Sequence, residues 1–168
     1  AGLVIFNSIV DVAVPVALMT PENKQNFKMK VNGLRAGGGT ALSGGMLTAL
    51  KEMERIDASV ATLSRVILFT DGEANVGPRS AKEISDLLPA ALGSTSLSCF
   101  GYGEGADQIL LGSLAEAGRG NYAFIKDPDS APTAFAKELG GLLSVHAHNI
   151  HLNLIPKGCS IKSIVSDV

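Results

Sequence analysis

The stretch whose residues could most plainly do chemistry is Arg65-Val66-Ile67-Leu68-Phe69-Thr70-Asp71-Gly72-Glu73. Val66 to Phe69 is an unbroken apolar run, the pattern of a strand buried on both faces. It stops at Thr-Asp-Gly-Glu, so a hydroxyl and a carboxylate emerge where the strand leaves the sheet. In open α/β sheets that carboxyl end is where ligands bind. Asp-Gly is also a common turn pair, so Asp71 reads equally as a turn residue. A second candidate follows Gly37-Gly38-Gly39. Three glycines in a row make neither a stable helix nor a strand interior, and they let backbone approach something closely. They present Thr40 at the start of the next helix, either as a functional hydroxyl or as a plain N-cap.

Other chemistries are poorly supplied. No Gly-Lys-Ser/Thr follows the glycines, so they do not form a phosphate-cradling loop. There is no Gly-x-Ser-x-Gly elbow, no Cys with a credible His partner and no paired-carboxylate arrangement. An enzyme is therefore not expected. His146, His148 and His151 look like a metal cluster on paper. They straddle a helix end and a strand start, so their side chains need not converge.

Composition narrows the classes further. The 168 residues suit one domain with a sizeable core, 46% are apolar, and the formal net charge is -2. No basic patch points to nucleic acid. No run of 18 or more apolar residues is present, so no membrane span is expected in this stretch. The apolar start, Ala1 to Val10, lacks a basic region and a cleavage site and reads as a strand rather than a signal peptide. Cys99 and Cys159, the two cysteines, are unclustered. They imply neither a disulfide framework nor a zinc site, and they leave the compartment open.

The elements that must position Thr40 and Asp71 can be taken in chain order. Gly2 to Ser8 and Val12 to Leu18 are apolar runs joined so tightly that only an antiparallel pair fits. Pro15 removes a ladder donor and argues for a sheet edge. Thr20-Pro21-Glu22 opens a helix reaching about Leu34, with a hydroxyl cap, proline at the first position and acid in the first turn. Met46, Leu47, Leu50 and Met53 make an apolar helical stripe after Thr40. Ser80 and Glu83 fit a capping box for a helix ending near Pro89. Leu97 to Tyr102 is a buried strand, Asp107 to Ala117 a helix, Asn121 to Ile125 a strand, and Pro132 to about Val145 the last long helix. Strands alternating with helices at this spacing predict α/β architecture, a doubly wound and mostly parallel sheet with one antiparallel edge strand. Asn149 to Ile155 and Ser160 to Val165 alternate around Pro156-Lys157-Gly158, which predicts the start of a further β element. The expected division is residues 1–147 and 148–168.

Together, the threonine after glycines, the strand ending in Thr-Asp-Gly and the upstream antiparallel hairpin resemble the von Willebrand factor A (vWA) domain. The resemblance covers roughly residues 1 to 145 and extends to Gly101-Tyr102-Gly103 and Gly120-Asn121-Tyr122-Ala123-Phe124. This version is most similar to bacterial stand-alone A domains and to those of inter-alpha-trypsin inhibitor heavy chains. The family carries a metal-ion-dependent adhesion site (MIDAS) built from three loops. The first supplies Asp-x-Ser-x-Ser, the second a threonine and the third an aspartate. The resemblance implies that Thr40 is the second-loop ligand and Asp71 the third-loop ligand. Mg²⁺ suits such oxygen donors, with Mn²⁺ or Ca²⁺ as substitutes. Glu73 would colour the local charge without being a ligand. Glu104 and Asp107 lie at the same sheet edge, as rim acids or ordinary loop residues.

The chain departs from the family at one place: it contains no Asp-x-Ser-x-Ser. Its first residues match what the family would call the second strand, so the first strand, its metal loop and the first helix are expected to be missing. In the family's strand order that first strand is central. Its absence would leave unpaired backbone on both sides of a gap, each buried unsatisfied group costing about 1–3 kcal/mol. The expectation is that another segment or chain supplies the strand. The functional expectation is an adhesion or protein-interaction module that binds a partner's exposed Asp or Glu through the metal, as part of a larger protein. Two alternatives stand beside it, a metal-free assembly scaffold and a Mg²⁺-dependent phosphoryl-transfer enzyme using Asp71.

Overall fold

The computed structural model describes residues 1–57, 63–88, 92, 95–143, 155–158 and 162–163. The chain opens with an antiparallel hairpin of β1 (Leu3–Phe6) and β2 (Val10–Val14). The turn lies at Asn7–Ile9, earlier than the apolar runs suggest, because the Asn7 side chain closes it by accepting the Ile9 N–H at 2.8 Å. Pro15 falls just beyond β2, where its missing donor costs no ladder bond. Helix α1 (Pro21–Asn32) starts as its sequence dictates: the Thr20 hydroxyl accepts the Asn23 N–H at 3.2 Å and Pro21 occupies the first turn.

After α2 (Leu42–Met53), β3 (Ser64–Thr70) begins a three-stranded parallel sheet with β4 (Thr95–Tyr102) and β5 (Arg119–Ile125), in the order β3-β4-β5. Between them lie α3 (Ala81–Ser85), opened by the Ser80–Glu83 capping box, and α4 (Gln108–Ala117), capped by Asp107. The last helix is α5 (Ala131–Leu143). The predicted hairpin at 149–165, His146, His148, His151 and Cys159 lie outside the described residues.

Alternation along the strands separates two faces. Val66 and Leu68 of β3, with Leu97 and Cys99 of β4, pack against Leu42 and Met46 of α2, Ile84 of α3 and Leu111 of α4. That layer is the main core. The opposite face carries α5. Phe135 lies edge-on to Phe100, ring centroids 4.8 Å apart, and 5.9 Å from Phe69. Glu138 is buried there and accepts from Arg65, from Ser98 Oγ at 2.5 Å and from Asn121 Nδ2 at 3.0 Å, one residue from each strand of the sheet. Burial pushes its carboxyl up, but the bonds from Ser98, Asn121 and Arg65 outweigh it and hold it below the ordinary carboxylate value. Helices thus cover both faces of a parallel sheet, the doubly wound α/β arrangement.

Among the described residues, five strands form two sheets. Among the described residues, β1 is bonded only to β2 and β3 only to β4. Helix α2 packs against β1, β2 and β3 and so bridges the two sheets. Between them runs a groove of about 560 Å³.

Candidate functional site

Four loops meet at the carboxyl end of β3. Thr70 is buried, and its hydroxyl braces the turn that follows: the Gly72 N–H donates to Oγ1 at 3.4 Å, and Oγ1 lies 3.4 Å from the Gly72 carbonyl. Asp71 is thereby turned out to solvent. Among the described residues its carboxylate accepts no hydrogen bond and pairs with no cation. Gly105 lies on its backbone. A Cβ there would fall 2.8 Å from the Asp71 carbonyl oxygen, so only glycine lets the 103–106 loop approach so closely.

The loop bearing Thr40 is built by side chains that the sequence does not single out. The Ser8 hydroxyl accepts the Gly39 N–H at 2.7 Å, and the Asn7 carbonyl accepts the Ala41 N–H at 2.7 Å. Asn75 Oδ1 accepts the Thr40 N–H at 2.7 Å, while the Thr40 carbonyl accepts the N–H groups of Asn75 at 3.2 Å and Val76 at 3.3 Å. Gly38 takes a left-handed φ of 83° that favours glycine. The N-cap of α2 is Ala41, without a side-chain bond, so Thr40 is not the helix cap. Its Oγ1 stands 3.5 Å from where a Cβ on Gly72 would lie. Thr40 and Asp71 are therefore brought to facing loops.

The arrangement offers a hydroxyl oxygen and a carboxylate, both hard donors of the kind a Mg²⁺-sized cation takes. One carboxylate leaves such an ion short of charge and ligands. Among the described residues no three His, Cys, Asp or Glu side chains gather into a metal-binding group. The remaining acids have other places. Glu73 and Glu104 are exposed, and Asp107 accepts the Leu110 N–H at 2.9 Å as the α4 cap. Arg35 folds back onto the carbonyls of Asn32 and Leu34, and Arg119 donates to the Thr95 carbonyl. Ser8 and Asn75 are what sequence reasoning missed. Their only local signal is residence in turns, and their partners lie 31 and 35 residues away.

Comparison with known proteins identifies the framework. The profile of the von Willebrand factor type A domain matches residues 11–124, well over half of the chain. Inter-alpha-trypsin inhibitor heavy chain H4 of Bos taurus is 30% identical over 116 residues, covering 66% of this chain and 13% of that protein. The chain thus spans about one eighth of the relative it matches. Among solved structures, a von Willebrand factor type A protein from Catenulispora acidiphila superposes with a TM-score of 0.70 at 22% identity, over 81% of this chain and 32% of that one. Proximal thread matrix protein 1 from the mussel byssus, in a form described as having a zinc-occupied MIDAS motif, gives 0.60 at 19% identity, over 82% and 35%. At such identities the structural likeness speaks for the fold. The profile match over residues 11–124 decides the family: the chain belongs to the von Willebrand factor type A domain family.

Proposed function

We propose that this domain binds a partner protein at the carboxyl end of its sheet, through a divalent cation held in part by Thr40 and Asp71. Domains of this family generally mediate protein interaction or adhesion and commonly bind a divalent metal at a MIDAS. They are typically not enzymes. The observation that carries the proposal is the pairing of an unengaged Asp71 carboxylate with the Thr40 hydroxyl on facing loops.

Mg²⁺ is the expected ion, with Mn²⁺ or Ca²⁺ as substitutes. When bound, it would supply a Lewis-acidic centre that an exposed Asp or Glu of the partner can complete. The chain's own residues do the positioning. Thr70 fixes the turn that exposes Asp71, Asn75 fixes the backbone of Thr40, and Ser8 anchors the glycine loop. The family pattern would draw the further oxygens from an Asp-x-Ser-x-Ser loop. In this reading the vWA unit takes up residues 1–147; most of 148–168 lies outside the described residues. Among the described residues no helix is long and apolar enough to cross a membrane.

NMR titration with Mg²⁺ of the ¹⁵N-labelled chain, preceded by a strand ending in Asp-x-Ser-x-Ser, tests the proposal. Saturable shifts confined to residues 37–41, 71–77 and 103–106, absent in Asp71→Ala, support it. An unchanged spectrum, or shifts that survive Asp71→Ala, would overturn it. A second reading, a metal-free assembly scaffold, is favoured by the outer edges of β1 and β3, which have no strand partner among the described residues. Assembly that persists in EDTA would support it.

A further inference from the structure

Rearrangement of an Asp or Asn to isoaspartate needs three local conditions. The backbone nitrogen of the next residue must be free to reach the side-chain carbonyl carbon. The side chain itself must be unengaged, and the next residue must put no bulky Cβ in the way. Asn32–Gly33 fails the first, because the Gly33 N–H donates to the carbonyls of Met29 at 3.1 Å and Lys30 at 3.2 Å. Asn7–Ser8 fails the second, because Asn7 Oδ1 is held by the Ile9 N–H at 2.8 Å. At Asp129–Ser130 the Ser130 N–H donates to Asp127 Oδ1 at 2.9 Å.

Asp71–Gly72 meets all three. Asp71 is exposed, and among the described residues its carboxylate has no partner. The Gly72 N–H reaches only Thr70 Oγ1, at 3.4 Å, longer than the usual range for such a bond. The Cβ position of Gly72 is open apart from Thr40 Oγ1 at 3.5 Å.

We propose that the Asp71–Gly72 peptide is a site of spontaneous isomerisation to isoaspartate, and that a divalent cation on the Asp71 carboxylate blocks it. The second half rests on the metal reading above; the first half does not. Gly72 N attacks Asp71 Cγ, an N–Cγ bond forms and a Cγ–O bond breaks. The oxygen leaves as water, carrying the amide hydrogen and one proton from solvent. Water then adds to the former backbone carbonyl carbon of Asp71, breaks its bond to Gly72 N and releases one proton. The chain now runs through Cγ, the carboxylate hangs directly from Cα, and mass and charge are unchanged. That carboxylate is drawn from the oxygen on which Gly105 rests, so both the reach toward Thr40 and the seat of the 103–106 loop are lost. A carboxylate oxygen bound to a cation is a poor leaving group, and Cγ is then held away from Gly72 N. An occupied site therefore persists and an empty one decays.

The test incubates the 168-residue chain in H₂¹⁸O near neutral pH and digests it with trypsin. Passage through the ring places one ¹⁸O at residue 71 of the Val66–Arg79 peptide, and fragmentation separates aspartyl from isoaspartyl forms. Circular dichroism confirms that the incubated chain is folded. Asp71 should react in the folded chain and in denaturant alike, whereas Asn32 should react mainly in denaturant. Gly72→Ala, whose methyl meets only an ordinary contact, should fold and slow labelling by about tenfold by crowding the attacking nitrogen. A folded chain without label at residue 71, equal reaction of Asn32 in both states, or labelling indifferent to Gly72→Ala overturns the isomerisation. The same incubation of the chain preceded by a strand ending in Asp-x-Ser-x-Ser, with and without Mg²⁺, tests the block. Mg²⁺ should slow labelling there by about tenfold or more. Label that accumulates equally with Mg²⁺ overturns the block together with the metal reading and supports the isomerisation alone.

Discussion

Thr40 and Asn75 close a ring: the Thr40 N–H donates to Asn75 Oδ1 at 2.7 Å, and the Thr40 carbonyl takes the Asn75 N–H at 3.2 Å. One side chain thus fixes the backbone that carries the candidate hydroxyl. Asn75→Ala leaves the Thr40 N–H without its partner and should cost about 1 kcal/mol of stability. Chemical denaturation measures that cost. Metal affinity should fall as well, although Asn75 is not itself a proposed ligand.

Gly39 sits inside the same ring. A Cβ there would fall 2.7 Å from Asn75 Oδ1 and 2.9 Å from a Val76 methyl. Gly39→Ala must displace Asn75 or the loop, at a cost of about 1–3 kcal/mol. A midpoint of denaturation equal to the parent's would show that the loop yields freely.

Glu138 ties α5 to all three strands of the parallel sheet, and Glu138→Ala leaves Arg65 without its buried countercharge. Breaking one side of such a pair should cost about 3 kcal/mol. The pH dependence follows from the direction of its shift. Its folded value lies below the ordinary one of 4.5, so the unfolded chain binds the proton more readily. The stabilisation is present above pH 4.5 and fades as pH falls through the folded value. Denaturation midpoints of the parent and of Glu138→Gln should therefore converge as pH is lowered from neutrality to below 4.5. A constant difference across that range would contradict the assignment.

Cys99 is fully buried, and burial pushes its thiol up to about 12. The thiolate, which is the reactive form, is scarce near neutrality. Alkylation followed by peptide mass spectrometry should leave Cys99 unmodified in the native protein at pH 8 and modify it in denaturant.

The features legible in the sequence were those whose chemistry is local. Thr20 with Pro21 and Ser80 with Glu83 each cap a helix within a few residues of themselves, so composition and spacing suffice. The strand Val66–Phe69 was legible because a strand covered on both faces must be apolar throughout. Thr40 and Asp71 could be associated only through the family resemblance, since nothing local links residues so far apart. Asn75, Ser8 and Glu138 were not legible as special. Glu138 in a helix looks like any solvated acid until folding brings Arg65, Ser98 and Asn121 onto it, from as far as 73 residues away.

The most direct test is calorimetric titration of Mn²⁺ into the chain preceded by a strand ending in Asp-x-Ser-x-Ser, with Thr40→Ala and Asp71→Ala in parallel. A metal held by these two residues predicts saturable one-to-one binding in the parent, weakened by about tenfold or more in each variant. Equal binding in all three, or none in the parent, would contradict it.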